Sequence, residues 1–558
     1  MPCHFNEIMY SLPKHANESE IGYISCNSVS DSKFESLEDE EKETCIDRSE
    51  NAQSYVLVSS LLDIIYDFMA QKSFLMYASN GNDSYLLSKE ELNDGTQNVH
   101  RKFSKSSFSW SLKKILHFVG PGWLVAMAYI DPGNLEGDLV AGAYRDAQNP
   151  QAGFHFLWIL MFSTLIGFFF QHLAVKLGIY SSKTLAELCR EIFPRSFCYI
   201  FWAMLEISLL GADIQCVMGS AISLKLLFNV PFSIGILLTL FDCCLAFFLD
   251  IWGPRRLETC FALCISLMGG CFFINMFTSH PSLSHIIHGL TCFSIPKNSL
   301  PLAISLIGSV VMPHNFFLQS AVVQSRLLHH RTPELLHHVT HVYTIETFFL
   351  LSVSFLVNLA VVVAFANPGI TSSQPLTLYN AHVALKSSLG QHSALIWGIG
   401  LLASGQCATI ASTYASRSMI DGFLQIKFPT FWSRVLVTRL TSLIPLLILL
   451  KLNTASIETI ANSVNVLQAF NLPLVLILLI RLTSSERIMG SQNVLSLPLK
   501  IICCISSFIL LSANVWLTIT QLSTFPFYNI FFFLIIYFYS IFYICSFPIK
   551  QNANVSFT

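Results

Sequence analysis

Residues 120–143 read GPGWLVAMAYIDPGNLEGDLVAGA, and residues 306–323 read LIGSVVMPHNFFLQSAVV. Both are apolar stretches interrupted near the middle, by Asp131-Pro132-Gly133-Asn134 in the first and by Met312-Pro313-His314 in the second, about 180 residues apart. Lipid offers no water to a freed backbone group, so a helix broken at membrane depth persists only where protein buries the break or a cavity lines it. The side chains at the breaks suit a cation. The first supplies a hard carboxylate and an amide oxygen, the second a soft thioether and an imidazole, and unwound turns add free carbonyls to both. The pattern predicts a metal-ion transport site.

The rest of the chain is consistent with a membrane carrier. Its 558 residues are 53% hydrophobic and 12% charged, with mean hydropathy +0.56, which excludes a soluble globule. A formal net charge of -2 carries no signature of nucleic-acid binding. Of the 16 cysteines, most lie inside apolar segments (among them Cys243, Cys244, Cys260, Cys264, Cys271, Cys503 and Cys504), where Cys behaves as a small buried hydrophobe. No cofactor, no enzyme activity and no obligate protein partner is expected.

Residues 1–113 differ in kind. They are polar, rich in Ser, Asn and Glu, carry an acidic run over residues 38–43 and begin without a signal-peptide pattern, so a disordered cytosolic tail is expected. Within it, Tyr55 to Met69 is apolar but short and interrupted by Asp63 and Asp67, which suits a surface-lying helix better than a span. Residues 114–548 then form the transmembrane domain, followed by a short tail, 549–558.

About twelve segments of roughly 20 apolar residues follow the N-terminal tail, predicting an all-α integral membrane fold. Lys and Arg concentrate in the connections after even-numbered spans: Lys183, Arg190, Arg195; Arg255, Arg256; Arg326, Arg331; Arg417, Lys427, Arg434; and Arg481, Arg487, Lys500. The odd-numbered connections hold little beyond Arg145, Lys225, Lys297, Lys386 and Lys451. Both termini therefore face the cytosol, and the sequons at Asn17 and Asn82 are decoys. Because the breaks fall in spans 1 and 6, two five-helix halves with inverted topology are expected, each led by a discontinuous helix, with two further helices at the C-terminus.

These residues carry a family resemblance. From Gly120 to Ile480 the chain resembles the Nramp (natural resistance-associated macrophage protein) family of proton-coupled divalent-metal transporters, through GPGWLVAMAYIDPGNLEGDL, MPHNFFLQSA, EISLLGADIQ, the GQCATIASTYASRSMIDGFL loop at residues 405–424, and NVLQAFNLP at 465–473. The resemblance implies a LeuT-like fold and a cargo of Fe2+ or Mn2+, with Cd2+ and Co2+ as congeners and H+ as coupling ion. Asp131, Asn134 and Met312 match the family's metal-binding side chains, and Ala128 and Ser309 match positions whose carbonyls join the site. Asn465 in span 10 is similar to a polar position that meets the metal on closure, with Gln468 one turn on as a second candidate. The chemistry agrees independently: a lone carboxylate is costly in a membrane but is compensated by a dication, and a thioether favours Fe2+, Mn2+, Co2+ or Cd2+ over Ca2+ or Mg2+.

For protons, the resemblance points to His314, to Glu206 and Asp213 on span 3, and to Arg439 in span 9. His titrates in the neutral range, and Glu206 and Asp213 stand seven residues apart, on one side of a helix. Two positions depart from the family pattern. Cys216 stands where relatives usually have Glu, and Gln319 where they often have a second His, so an altered or weakened proton route is expected.

Other readings compete. A carrier of Mg2+ or an amino acid could use the same fold, although Asp131 would repel an amino-acid carboxylate, and a metal uniporter would dispense with the proton groups. A membrane sensor or scaffold could keep the domain but would need a folded extension. His329, His330, His337, His338 and His341 cluster in the loop after span 6, read as a solvated loop. The site could serve the plasma membrane or an endosomal, lysosomal or vacuolar membrane.

Overall fold

The computed structural model describes residues 120, 122–146, 151–239, 254–296, 299–324, 333–367, 369, 376–425, 455–521 and 527–549. The predicted N-terminal tail with Tyr55–Met69 and both sequons, the predicted ninth span with Arg439, and residues 550–558 lie outside the described residues.

All the regular elements described are helical. Span 1 is α1 (Gly122–Met127) and α2 (Pro132–Gly142); a 3-10 turn, Ala152–Phe156, leads into span 2, α3 (Leu157–Ser181). After α4 (Leu185–Ile192) come span 3, α5 (Arg195–Phe228), and the start of span 4, α6 (Phe232–Leu238). Span 5 is α7 (Pro254–Thr278), followed by a short α8 (Leu283–Thr291) and by span 6, split into α9 (Leu300–Val310) and α10 (Pro313–Gln324). Spans 7 and 8 are α11 (Pro333–Phe365) and α13 (Gln391–Met419), with α12 (Ala381–Leu389) between them. Spans 10, 11 and 12 are α14 (Ala455–Thr483), α15 (Leu497–Gln521) and α16 (Phe527–Ser546). Two expectations need correction. Residues 405–424 are not a loop but the last turns of α13 and a π turn, Ile420–Leu424, and His337, His338 and His341 ride the first turns of α11 rather than a loop.

The inverted repeat is visible in which helices touch. If span n corresponds to span n+5, then the α3–α11 and α5–α13 packings map onto themselves, and both occur. The packing of α2 on α11 maps to that of α10 on α3, α1 on α11 maps to α9 on α3, and α7 on α13 maps to α14 on α5. All of these pairs are present. The contact pattern of the first five spans is thus repeated by the second five.

Polar side chains inside the spans are largely absorbed by the helices that carry them. Ser163, Thr164, Thr340, Thr344 and Thr347 each donate to the carbonyl four residues back, at 2.7–2.9 Å. This bonding hides the hydroxyl without a partner helix. Among the buried polar groups left over are Asn134, His314 and Asn315 at the two breaks.

Candidate functional site

The first break follows directly from its four residues. Asp131 (φ -76°, ψ 164°) is the N-cap of α2, with Pro132 in the first helical position, where its missing N–H is no loss. Its Oδ1 accepts from the backbone N–H of Asn134 at 2.8 Å and from Asn134 Nδ2 at 2.8 Å. The carboxylate therefore sits at the positive end of the helix dipole, buried, with its geometry set by the residue three positions on.

Between the half-helices the chain tightens into four-residue turns, Ala128 N–H to Val125 O, Tyr129 N–H to Ala126 O and Ile130 N–H to Met127 O, at 3.0–3.1 Å. Other spans satisfy most of the freed carbonyls. Ser354 donates to Ala126 O (3.3 Å) and Asn358 to Tyr129 O (3.0 Å), both from α11, while Ser404 of α13 donates to Ile130 O (2.6 Å). Ala128 O is the exception. It receives only long contacts, 3.4 Å from Asn134 Nδ2 and 3.5 Å from Asn315 Nδ2, at the limit of hydrogen-bond reach. A weakly held carbonyl beside a carboxylate is suited to receive a cation.

The second break is shorter. α9 ends at Val310, Val311 turns away (φ -104°, ψ 87°), Met312 is fully buried, and α10 restarts at Pro313. Asn315, three residues beyond Met312, reaches Ala128, three residues before Asp131, so the two breaks meet. Two glycines allow this approach. A Cβ on Gly137 would lie 2.7 Å from Ser309 Oγ, where α2 crosses α9, and a Cβ on Gly133 would lie 2.4 Å from Gln215 Oε1 of span 3.

Unmatched polar atoms gather in these helices. Asn134 Oδ1, His314 Nδ1 and Asn315 Oδ1 are buried without a hydrogen-bond partner, as are both amide atoms of Gln468, on α14 where it packs against both halves of span 6. Asn465 lies on α14 as well, one turn before Gln468, and its side chain is outside the described residues.

The acidic pair of span 3 faces span 8. Ser416 Oγ donates to Glu206 Oε1 at 2.6 Å and Ser412 Oγ donates to Asp213 Oδ1, so serines one turn apart on α13 address carboxylates two turns apart on α5. Cys216 is buried on the same helix, and Gln319 donates to Thr347 Oγ1 at 3.3 Å.

Buried carboxylates in spans escaped the sequence reading, Glu346 and Asp138 among them. Glu346, midway along α11, accepts from the N–H groups of Gly120 (2.7 Å) and Gly122 (3.1 Å), closing the start of α1. Asp138 is fully buried one heptad beyond Asp131, with neither carboxylate oxygen hydrogen-bonded. An ionisable group within an apolar segment was the available signal for both.

Comparison with known proteins gives a consistent picture. The family model described as "Natural resistance-associated macrophage protein-like" matches residues 122–520. The chain is similar to the metal transporter nramp1 homolog of Dictyostelium discoideum, 36% identical over 372 residues, 66% of this chain and 68% of the relative. It is also similar to the metal transporter Nramp3 of Arabidopsis thaliana, 39% identical over 376 residues, 66% and 72% of the two chains. Among solved structures it resembles the manganese transporter of Eremococcus coleocola, with a TM-score of 0.69 at 25% identity, covering 79% of this chain and 95% of that one.

Proposed function

Because the chain belongs to the Nramp family of metal transporters, which are not enzymes, we propose that it carries divalent transition metals, Fe2+ and Mn2+ with Cd2+ and Co2+ as congeners, toward the cytosol by alternating access. In this reading protons accompany the metal and both termini are cytosolic. The observation that carries the reading is the donor set at the paired breaks. Asn134 Oδ1 is buried without a partner, next to the Asp131 carboxylate and the loosely held Ala128 carbonyl. An orphan buried acceptor costs roughly 1–3 kcal/mol, and a dication removes that cost while neutralising Asp131. The buried Met312 thioether at the facing break selects softer ions over Ca2+ and Mg2+. Ser309 O, and Asn465 or, as a second candidate, Gln468 from span 10, would complete the shell as the site closes; the Gln468 amide is buried without a partner.

Proton movement is assigned to His314 and to Glu206 and Asp213, whose serine partners hold the pair along span 8; Arg439 enters on family resemblance. The test is an uptake panel of Mn2+, Fe2+, Cd2+, Ca2+ and Mg2+ in proteoliposomes, with metal and proton flux recorded together as external pH falls from about 7.5 to about 5.5. Faster Mn2+ and Cd2+ uptake at lower pH, with protons moving inward, is expected. Equal rates for Mg2+ and Mn2+ would overturn the cargo. Metal flux without proton flux would make the protein a uniporter.

A further inference from the structure

A second group of metal-ligating side chains stands apart from the paired breaks. His155 lies in the 3-10 turn that enters span 2, His288 in the last turn of α8, and Cys292 is the residue that caps α8. One ligand atom from each, a ring nitrogen from either His and the Cys sulfur, lies within 4.8 Å of the others. The two imidazoles meet edge to face with centroids 5.7 Å apart. His155 and Cys292 are half-buried and His288 is exposed, so the group opens at the surface of the protein.

The surrounding contacts hold this group in place. The 3-10 turn and α8 approach so closely that a Cβ on Gly289 would lie 2.3 Å from Phe154 O. Beyond Cys292, Trp158 Nε1 donates to Ser294 O at 3.0 Å, and the Trp158 and Phe293 rings pack edge to face at 5.6 Å. Ser294 Oγ is 2.8 Å from His155 Nδ1, the kind of outer partner that orients a ligating imidazole. Ligands drawn from the span 1–2 and span 5–6 connections are thus brought together by folding, although more than 130 residues separate them in sequence.

We propose that His155, His288 and Cys292 form a second, surface metal site for a borderline-soft dication such as Zn2+, Co2+ or Cd2+, with water completing a tetrahedron. Two imidazoles and a thiolate are the donor set that such ions prefer and that Ca2+ and Mg2+ do not. Binding releases the thiol proton to solvent, since the thiolate is the ligand. The site draws on other elements than the transport site: its ligands come from the 3-10 turn and the end of α8, none from the half-helices that carry Asp131, Asn134 and Met312. An ion here ties the entry of span 2 to the segment that leads into span 6.

The test uses the full-length chain carrying Asp131→Asn, so that the central site is silenced and the result does not depend on the transport reading. Titrated with Co2+ under reducing conditions, this protein is expected to show a thiolate-to-cobalt charge-transfer band that saturates at one ion per chain, is displaced by Zn2+ and is indifferent to Ca2+. Adding Cys292→Ser removes the band, and adding His288→Gln or His155→Gln weakens Co2+ binding at least tenfold. The histidine variants keep the assignment testable should the serine variant fail to fold. Absence of the band, or a band unchanged by all three substitutions, would overturn the site.

Discussion

Replacing Asp131 with asparagine separates its two roles. As the N-cap of α2 it accepts two bonds from Asn134, and as a buried carboxylate it supplies the negative charge at the first break. Asn is as good an N-cap as Asp, so Asp131→Asn keeps the local fold; the lost charge–dipole attraction, about 0.3–1 kcal/mol, is offset by burying one charge fewer. Asp131→Ala removes the cap, about 0.5–2 kcal/mol, and leaves Asn134 Nδ2 only its 3.4 Å contact to Ala128 O, a further ~1–3 kcal/mol. For the metal, losing the charged partner of a buried pair costs roughly 3–5 kcal/mol, which is about two to three and a half orders of magnitude in affinity. In purified protein, thermal unfolding should therefore rank wild type and Asp131→Asn together and Asp131→Ala below them, while Mn2+ uptake in liposomes is lost in both variants. Near-normal uptake by Asp131→Asn would refute the assignment. A thermal midpoint of Asp131→Ala equal to that of wild type would refute the capping role.

Met312→Leu conserves volume, so it should fold with a penalty under about 1.5 kcal/mol while Cd2+ loses roughly 5- to 30-fold against Ca2+ in competition uptake; an unchanged ratio would make Met312 packing alone. Gly133→Ala puts a methyl 2.4 Å from Gln215 Oε1 and should destabilise by about 1–3 kcal/mol and slow uptake, whereas wild-type thermal stability would show that Gln215 can swing away. Glu346→Ala strands the N–H groups of Gly120 and Gly122 and should lower thermal stability by roughly 2–5 kcal/mol, with Glu346→Gln recovering most of it; equal losses in the two variants would show that acceptance at α1 is not what matters. Cys216→Glu, which restores the carboxylate of the family pattern at this buried position, should raise the proton-to-metal flux ratio, and an unchanged ratio would mark Cys216 as tolerated variation.

Much of the local geometry of the candidate site was legible because it is set by neighbours in sequence. Asp131, Pro132, Gly133 and Asn134 cap and start a helix among themselves, and a membrane leaves few uses for a carboxylate at a broken helix. Met312-Pro313 ends one half-helix and begins another by the same short-range rule. Segment length and apolarity likewise predicted an all-helical membrane protein, since only helices and closed barrels satisfy the backbone in lipid.

What needed the tertiary structure was everything that depends on a partner far away in the chain. Residue type shows that an unwound carbonyl exists but not who satisfies it; Ser354, Asn358 and Ser404 do so for three of them, 228, 229 and 274 residues away, and Ala128 O is left weakly held. Nothing local to Glu346 shows that it closes the start of α1, 226 residues away. The serine partners of Glu206 and Asp213, the close approaches at Gly133 and Gly137, and the trio of His155, His288 and Cys292 arise the same way. The physical reason is common to all of them: periodicity and capping act within one or two turns, whereas a coordination shell or a buried hydrogen bond is a condition on three-dimensional distance, which only packing of the two halves against each other imposes.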